Sequence, residues 1–513
     1  MIAPSASNVL REALAVEAFP LGELQQLLAQ GAPRVALSGL EGSALAYLLS
    51  LLPGEPGSPR LVITPDAATA EALARDLRFF LGERDDPAAL AGVAARSPRG
   101  LGHEASAVLD LPVVEVSPYS GLSPDRRTML RRLRTLTLLA QPELAPEARF
   151  LVLAAENLQR RVLPLPTLQR LTLWLARGDR VARDELALQL AGIGYSRVQL
   201  VEEPGCFSVR GGTVDVFSPL YPWPLRLELF DDEVEGLRFF DPAGQRSLLA
   251  AELVVIPPAR EEISLESHLG RARERILEVA ALLDLPSSKA RQVLADLGSG
   301  IYFFGVEALA PAFHESLAPL ETYLPPRGHR VLLDPAAAEQ RLAELAEQLV
   351  AAHARRSAEG VLVFPPTEHL VLGPAALEAS LLGPHLQVGG LRLGVADPRE
   401  PTAPSLHFGV ERHPARFTTT DPDAAPEDSH LAPFARQVHR WLREGQRVGL
   451  VVGSRGRAER ARELLRTLGF PVTIEERGLW VRAAGDDGLQ PGALRIVVGE
   501  LSAGFDVPAH GLV

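Results

Sequence analysis

Short apolar runs alternate with helical stretches through the first third of the chain. Arg34–Ser38, Arg60–Thr64, Val113–Val116 and Phe150–Ala154 have the length and aliphatic composition of buried strands. Residues 43–51 and the amphipathic stretch Ala67–Leu81 lie between them with helical spacing. Strands separated by helices predict a parallel sheet covered on both faces. From Cys206 to Asp241 the period falls to two. CFSVRGGTVDVFSP and LRLELFDDEVEGLRFFD alternate and are punctuated by Gly-Gly and Asp-Asp turns, which predicts a β-meander. With a short strand and the helix Arg183–Ala191 before it, this makes a small α+β domain at about 171–256. Helical patterning returns at 267–297 and again at 336–353, after a strand at Arg330–Leu333. The acidic, Pro-rich DPDAAPEDSH at 421–430 reads as a loop. The last part is again α/β, with strands Gln446–Val452 and Leu494–Val498 and the helix Ala458–Leu468. The final HGLV reads as the start of a further strand, so the chain is expected to be a piece of a longer protein.

Length and composition narrow the class. At roughly 150 residues per domain, the chain holds about three or four domains. Hydrophobic residues make up 46% and charged residues 23%, ordinary values for a soluble globular protein. No long uninterrupted apolar run predicts a membrane span, and MIAPSASNVL lacks the basic-then-apolar pattern of a secretory signal. A single cysteine, Cys206, rules out an internal disulfide and fits a cytoplasmic setting. The 12 histidines are scattered without zinc spacing, so no metal is expected. A net charge of −12 argues against the whole chain wrapping DNA, while leaving room for a local basic patch.

The strand Arg34–Ser38 runs into Gly39-Leu40-Glu41-Gly42-Ser43-Ala44-Leu45-Ala46 and then a helix, the position of a phosphate-binding loop. Such a loop needs glycines for its backbone cradle, a lysine for the β/γ-phosphates and a hydroxyl for magnesium. Gly39 and Gly42 are present, but Leu45 stands at the lysine position and Ala46 at the hydroxyl position. An ordinary strand-to-helix turn fits the pattern equally well, and both readings predict no ATPase and no cofactor. Strand Arg330–Leu333 ends in Asp334-Pro335, where a nucleotide site would carry an acidic pair to hold magnesium and orient water. A lone Asp334 is read as a helix cap or turn residue.

The block GCFSVRGGTVDVFSPLYPWPLRLELFDDEVEGLRFFDPAGQRSL at 205–248, with SPYSGLSPDRRTMLRRLRTL at 117–136 and GELSAGFDVPAHGLV at the end, resembles the amino-terminal region of bacterial transcription-repair coupling factors (Mfd). More distantly it resembles the excision-repair protein UvrB. The resemblance implies a multi-domain α/β layout: a UvrB-like, degenerate P-loop-type domain in two parts, 1–170 and 257–400, split by an inserted domain 2 at 171–256. A separate α/β domain of unassigned role follows at 401–513. It also implies that domain 2 binds UvrA, and that in the full-length protein domain 2 contacts a carboxy-terminal domain. RNA polymerase and DNA would be engaged only through regions absent from this chain. UvrB's aromatic DNA-inserting hairpin has no counterpart, since Tyr119 is the sole aromatic between Leu111 and Glu147.

The positions matched to UvrA binding are Arg210, Arg226 and Phe230. In Leu225–Phe230 the odd positions form an apolar face, and Arg226, Glu228 and Phe230 share the other. A large aromatic on a polar face suits an interface anchor, and arginine suits partner carboxylates. Against this, Phe230 could turn into a satellite cluster with Phe217 or Phe239. The arginine-rich helix after Ser123-Pro124-Asp125, with Arg126, Arg127, Arg131, Arg132 and Arg134, reads as a solvated face, its N-cap Ser123. Three functions therefore compete: a docking module that recruits UvrA, half of a helicase-like ATPase (suggested by Gly453-Ser454-Arg455-Gly456 and the final motif), and a DNA-binding module using the arginine helix.

Overall fold

The computed structural model describes residues 19–54, 57–83, 106–298, 303, 305–325, 330–371, 375–381, 384–389, 403–412, 432–475, 492–507 and 512–513. The acidic stretch 421–430, expected as a loop, lies outside them. The chain is a multi-domain α/β protein with parallel sheets and an inserted, mostly β domain.

The largest sheet has seven strands, all parallel, in the order Ser405–His407, Arg34–Ser38, His385–Val388, Arg330–Leu333, Arg60–Thr64, Phe150–Ala154, Val108–Leu111. It draws strands from both sides of the inserted domain, with Val331 beside Val62 in register. Arg60–Thr64 and Phe150–Ala154 are buried at every position, as their unbroken apolar runs require of strands covered on two faces. Alternate residues feed two cores: Leu61, Ile63, Leu151 and Leu153 on one side, Val62, Phe150 and Val152 on the other.

The strand expected at Val113–Val116 is instead Val108–Leu111. Asp110 interrupts its apolar pattern, and on the page of the sequence that hides the strand. In the fold the Asp110 carboxylate is held by Arg78 and Arg131. Pro112, which has no N–H to donate, follows the last paired residue. The helical stretch 267–297 is two helices, Glu266–Leu282 and Ser287–Gly298, separated at Asp284, whose φ of 50° is left-handed.

The inserted domain is a six-stranded sheet in the order Ser247–Ala251, Glu233–Phe240, Leu225–Phe230, Thr213–Val216, Cys206–Arg210, Ser196–Arg197. It is antiparallel except for the last pair. The chain enters through Leu173–Ala176 and leaves through Leu253–Ile256, and these two strands pair with each other as a neck. Leu186, Phe207, Leu225, Leu227 and Phe239 join the same core as Leu151 and Leu153 of the large sheet. The inserted sheet is therefore packed onto its host.

A three-stranded parallel sheet, in the order Val448–Val452, Leu494–Val498, Thr473–Glu475, forms the last module with helices Ala432–Arg443 and Arg455–Thr467. The second helix starts before the expected Ala458 because the Ser454 side chain caps it, accepting from the Arg457 N–H at 3.3 Å. Among the described residues no helix is long and apolar enough to cross a membrane.

Candidate functional site

The strand Leu225–Phe230 alternates as expected. Leu225 and Leu227 are fully buried, Arg226 and Glu228 are half-buried, and Phe230 is 70% exposed. Phe230 immediately precedes the Asp231-Asp232 turn, where Asp231 takes a left-handed φ of 51°. Phe217 does enter a satellite cluster, but with Val201 and Phe240. Phe239 belongs to the main core. Phe230 joins neither. As neighbours along a strand, Phe239 and Phe240 bury on different sides of the sheet.

Arg226 lies on the same face as Phe230. It is opposite Asp215 on the next strand and forks onto its carboxylate, Nε to Oδ1 at 2.7 Å and Nη2 to Oδ2 at 2.8 Å. Its guanidinium carbon is 4.5 Å from the centre of the Phe240 ring, and Nη2 also donates to Gln245 Oε1 at 3.2 Å. The hydrogen bonds to Asp215 raise the Arg226 pKa above its ordinary value. Arg210 is exposed and donates to the Gln199 carbonyl. It pairs across the ladder with Thr213, which in turn faces Glu228. The three expected docking residues therefore share one polar sheet face.

The Gly211-Gly212 turn between the first two of these strands requires both glycines. Gly211 has a φ of 56°, and a Cβ on Gly212 would stand 2.8 Å from the Leu229 carbonyl oxygen.

At the phosphate-loop position, Gly39 and Gly42 take φ values of 72° and 58°. Leu45 and Ala46 are buried in the hydrophobic core. The space over the loop is filled by the chain itself. A Cβ on Gly42 would meet the Gly504 carbonyl oxygen at 2.6 Å. The Ser43 hydroxyl donates to the Ala503 carbonyl at 2.7 Å instead of capping its own helix. Ser502 donates its N–H (2.7 Å) and its hydroxyl to the buried Asp76 carboxylate. Burial pushes the Asp76 pKa up, and hydrogen bonds from Ser502 and Ser43 oppose that rise. Phe505 packs its ring 5.7 Å from Tyr47 and 5.9 Å from Phe80. This plug, Ser502 to Phe505, is the feature sequence reasoning missed. Its only signal was the motif GELSAGFDVP, whose contact lies more than four hundred residues away in sequence.

Asp334 is a helix cap. Its carboxylate accepts from the Ala337 N–H at 3.2 Å, its φ is 39°, and Pro335 occupies the first turn. The arginine helix Arg126–Ala140 departs from expectation twice. Its N-cap is Asp125, which accepts from the Thr128 N–H at 2.8 Å. Ser123 is committed elsewhere, donating to Glu307 at 2.7 Å. Nor is the face simply solvated. Arg126 donates to Ser196 and the Gly205 carbonyl, Arg131 pairs with Asp110, and Arg132 is fully buried against Pro112 and Asn157.

Residues 173–261 match the family model described as the UvrB interaction domain. Over 486 residues, 92% of its length, the chain is 34% identical to the transcription-repair-coupling factor of Myxococcus xanthus. The chain is homologous to the transcription-repair-coupling factors over most of its length. It is also 30% identical to that of Mycobacterium bovis over 349 residues, 67% of this chain and 26% of the relative. To the UvrABC system protein B of Kosmotoga olearia it is 28% identical over 251 residues, 48% of this chain and 35% of that protein. The chain spans 38% of the Myxococcus coupling factor. The matched family segment contains the whole neck and the whole inserted sheet bearing Arg210, Arg226 and Phe230.

Proposed function

We propose that this chain is a non-catalytic docking platform of transcription-coupled excision repair, recruiting UvrA through the polar face of its inserted sheet. The observation that carries the reading is Phe230: a large aromatic, 70% exposed, at the end of a strand whose neighbours are an ion-paired arginine and a glutamate. An unburied ring on a rigid strand is the kind of anchor that interfaces bury. Arg210 flanks it, and Arg226 supports the same face through Asp215. In the longer protein, RNA polymerase binding and DNA translocation belong to regions outside this chain, and domain 2 contacts a carboxy-terminal domain that also lies outside it.

The reading excludes ATP turnover by this part. Leu45 supplies no charge, Ala46 supplies no magnesium ligand, and Ser502–Gly504 stand where phosphates would lie. Direct DNA binding by the arginine helix is disfavoured because Arg126, Arg131 and Arg132 are engaged internally. The test is titration of purified UvrA into the chain by calorimetry. Phe230→Ala should weaken binding by about 2 kcal/mol, roughly 30-fold in Kd, with an unchanged melting temperature. Undiminished UvrA binding by a well-folded Phe230→Ala protein would remove Phe230 from the interface and the reading with it.

A further inference from the structure

The run Val113–Val116 has the β-branched composition of a strand, yet the fold leaves it outside every sheet. Pro112 separates it from the edge strand Val108–Leu111 of the large sheet. None of its backbone N–H or C=O groups has a hydrogen bond among the described residues, although its three valines are half-buried. Main-chain groups in such a setting normally have partners. The run lines a cavity of about 640 Å³ that lies past the carboxyl ends of Arg60–Thr64 and Phe150–Ala154, where sheets of this kind hold ligands. Helix Pro335–Ala358 contributes Leu345 and Leu349 to the same lining, and Arg160, Glu261 and His369 complete it. Glu261 and His369 are 1% and 6% exposed, and Glu261 Oε1 and His369 Nε2 have no hydrogen-bond partner. The Arg160 guanidinium has only the Glu261 carboxylate, at 3.9 Å. Other charges around the cavity are already engaged: Arg341 with Glu156, Arg161 with the Thr367 and Leu317 carbonyls, and Asp66 with the start of its helix.

We infer that this cavity binds a short, extended, uncharged and largely apolar peptide segment of another protein, whose backbone pairs with Val113–Val116. A peptide main chain meets both kinds of unmet group at once. Its carbonyls accept from the N–H groups of the run and from Arg160, and its N–H groups donate to the carbonyls of the run and to Glu261. An anion would suit Arg160 alone and be opposed by Glu115, Glu156 and Glu261. A nucleic-acid strand would bring a phosphate with every nucleotide against the same carboxylates. Burial first, then Arg160, lowers the His369 pKa to about 3, so the imidazole adds no charge to the cavity at neutral pH. Alternate side chains of the peptide would lie among Val114, Val116, Leu345 and Leu349, which sets the preference for apolar residues. The cavity shares no residue with the sheet face that carries Phe230.

The experiment uses the whole chain. Random peptides displayed on phage are selected against it, and the strongest sequence is synthesised with both ends capped. Amide hydrogen exchange is then followed with and without that peptide. In the free chain the amides of Val113–Val116 should exchange fast, because nothing bonds them, and the peptide should slow them. The selected sequence should alternate apolar residues and carry no net charge. Methylating alternate backbone nitrogens of the peptide should abolish protection, a result that requires no change to the protein. Leu345→Glu should weaken binding about tenfold or more, by placing a carboxylate among the apolar contacts. The same variant should bind UvrA as the wild type does, which keeps this outcome separate from the docking reading. The inference is overturned if these amides are already protected in the free chain, or if no selected peptide protects them. It is also overturned if the methylated peptide binds equally well. Protection by a short single-stranded oligonucleotide, and not by peptide, would assign the cavity to nucleic acid and overturn it too.

Discussion

Replacing Arg226 with alanine separates the two roles its position allows, partner contact and internal support. Its fork onto Asp215 is bidentate, at 2.7 and 2.8 Å. Asp215 is 5% exposed, so truncation of Arg226 leaves a carboxylate with almost no access to water. Removing one partner of a buried pair costs about 3–5 kcal/mol, and the lost cation–π contact with Phe240 adds about 1 kcal/mol. The Arg226 side chain is itself 22% exposed, which favours the lower end, about 4 kcal/mol in total. Because the inserted sheet shares its core with the large sheet, the cooperative unit is of medium size, and each kcal/mol moves Tm by about 2–4 °C. The expected fall is therefore about 8–16 °C. Asp215→Ala should cost roughly half as much, since the freed guanidinium can turn toward water. The double variant should be more stable than Arg226→Ala alone. Calorimetric melting of all four proteins measures this, alongside UvrA titration at a temperature where each is folded. UvrA affinity of folded Arg226→Ala should stay within a few-fold of wild type. If Arg226→Ala melts with the wild type yet loses UvrA binding, the arginine is a contact residue and the pair with Asp215 is incidental.

Two further outcomes follow from the buried groups. The chain should show no magnesium-dependent ATP binding by calorimetry, and Leu45→Lys/Ala46→Ser should not restore it, because Ser502–Gly504 still fill the loop; micromolar binding by either protein contradicts this. Burial, reinforced by Glu261 and Glu307, raises the Glu262 pKa from 4.5 to about 8. The folded state therefore holds a proton the unfolded state has lost, and that contribution is complete below pH 4.5 and disappears as pH rises to about 8. Between pH 7 and 8 the melting temperature should fall in wild type and fall less in Glu262→Gln; parallel slopes would show that Glu262 is not protonated in the fold.

The elements that were legible in the sequence are those whose burial is uniform. Phe150–Ala154 and Arg60–Thr64 lie in the middle of the sheet, so local composition and tertiary environment agree. Leu225–Phe230 was legible for a different reason: one face is core and the other is not, and alternation reports that directly. Val108–Leu111 was missed because Asp110 sits in a buried strand only by virtue of two arginines remote in sequence. The same cause hid the fate of Arg132, Ser123 and Arg226, since a charged or polar residue reads as surface until its partner is known. For the loop Gly39–Ala46, the sequence shows which chemical groups are missing, while its occupation by Ser502 and Ala503 depends wholly on long-range packing.

The two cores give these local features a common consequence. One joins the large sheet to the inserted domain through Leu151, Leu153, Leu225 and Leu227. The other joins it to the last module through Val35, Leu45, Val497, Phe505 and Val507. A working phosphate loop needs space above its glycines and freedom to close on a ligand. Here that space is the seam between modules, held by Ser43, Asp76 and Ser502, and the loop is a fixed joint. Fixing it suits a docking role. A ring exposed on a strand that is anchored to a rigid host loses little further freedom on binding, and association is weakened chiefly by such losses. The position of Phe230 thus depends on residues far from it, and under the proposed docking role the filled loop would contribute by keeping that seam shut.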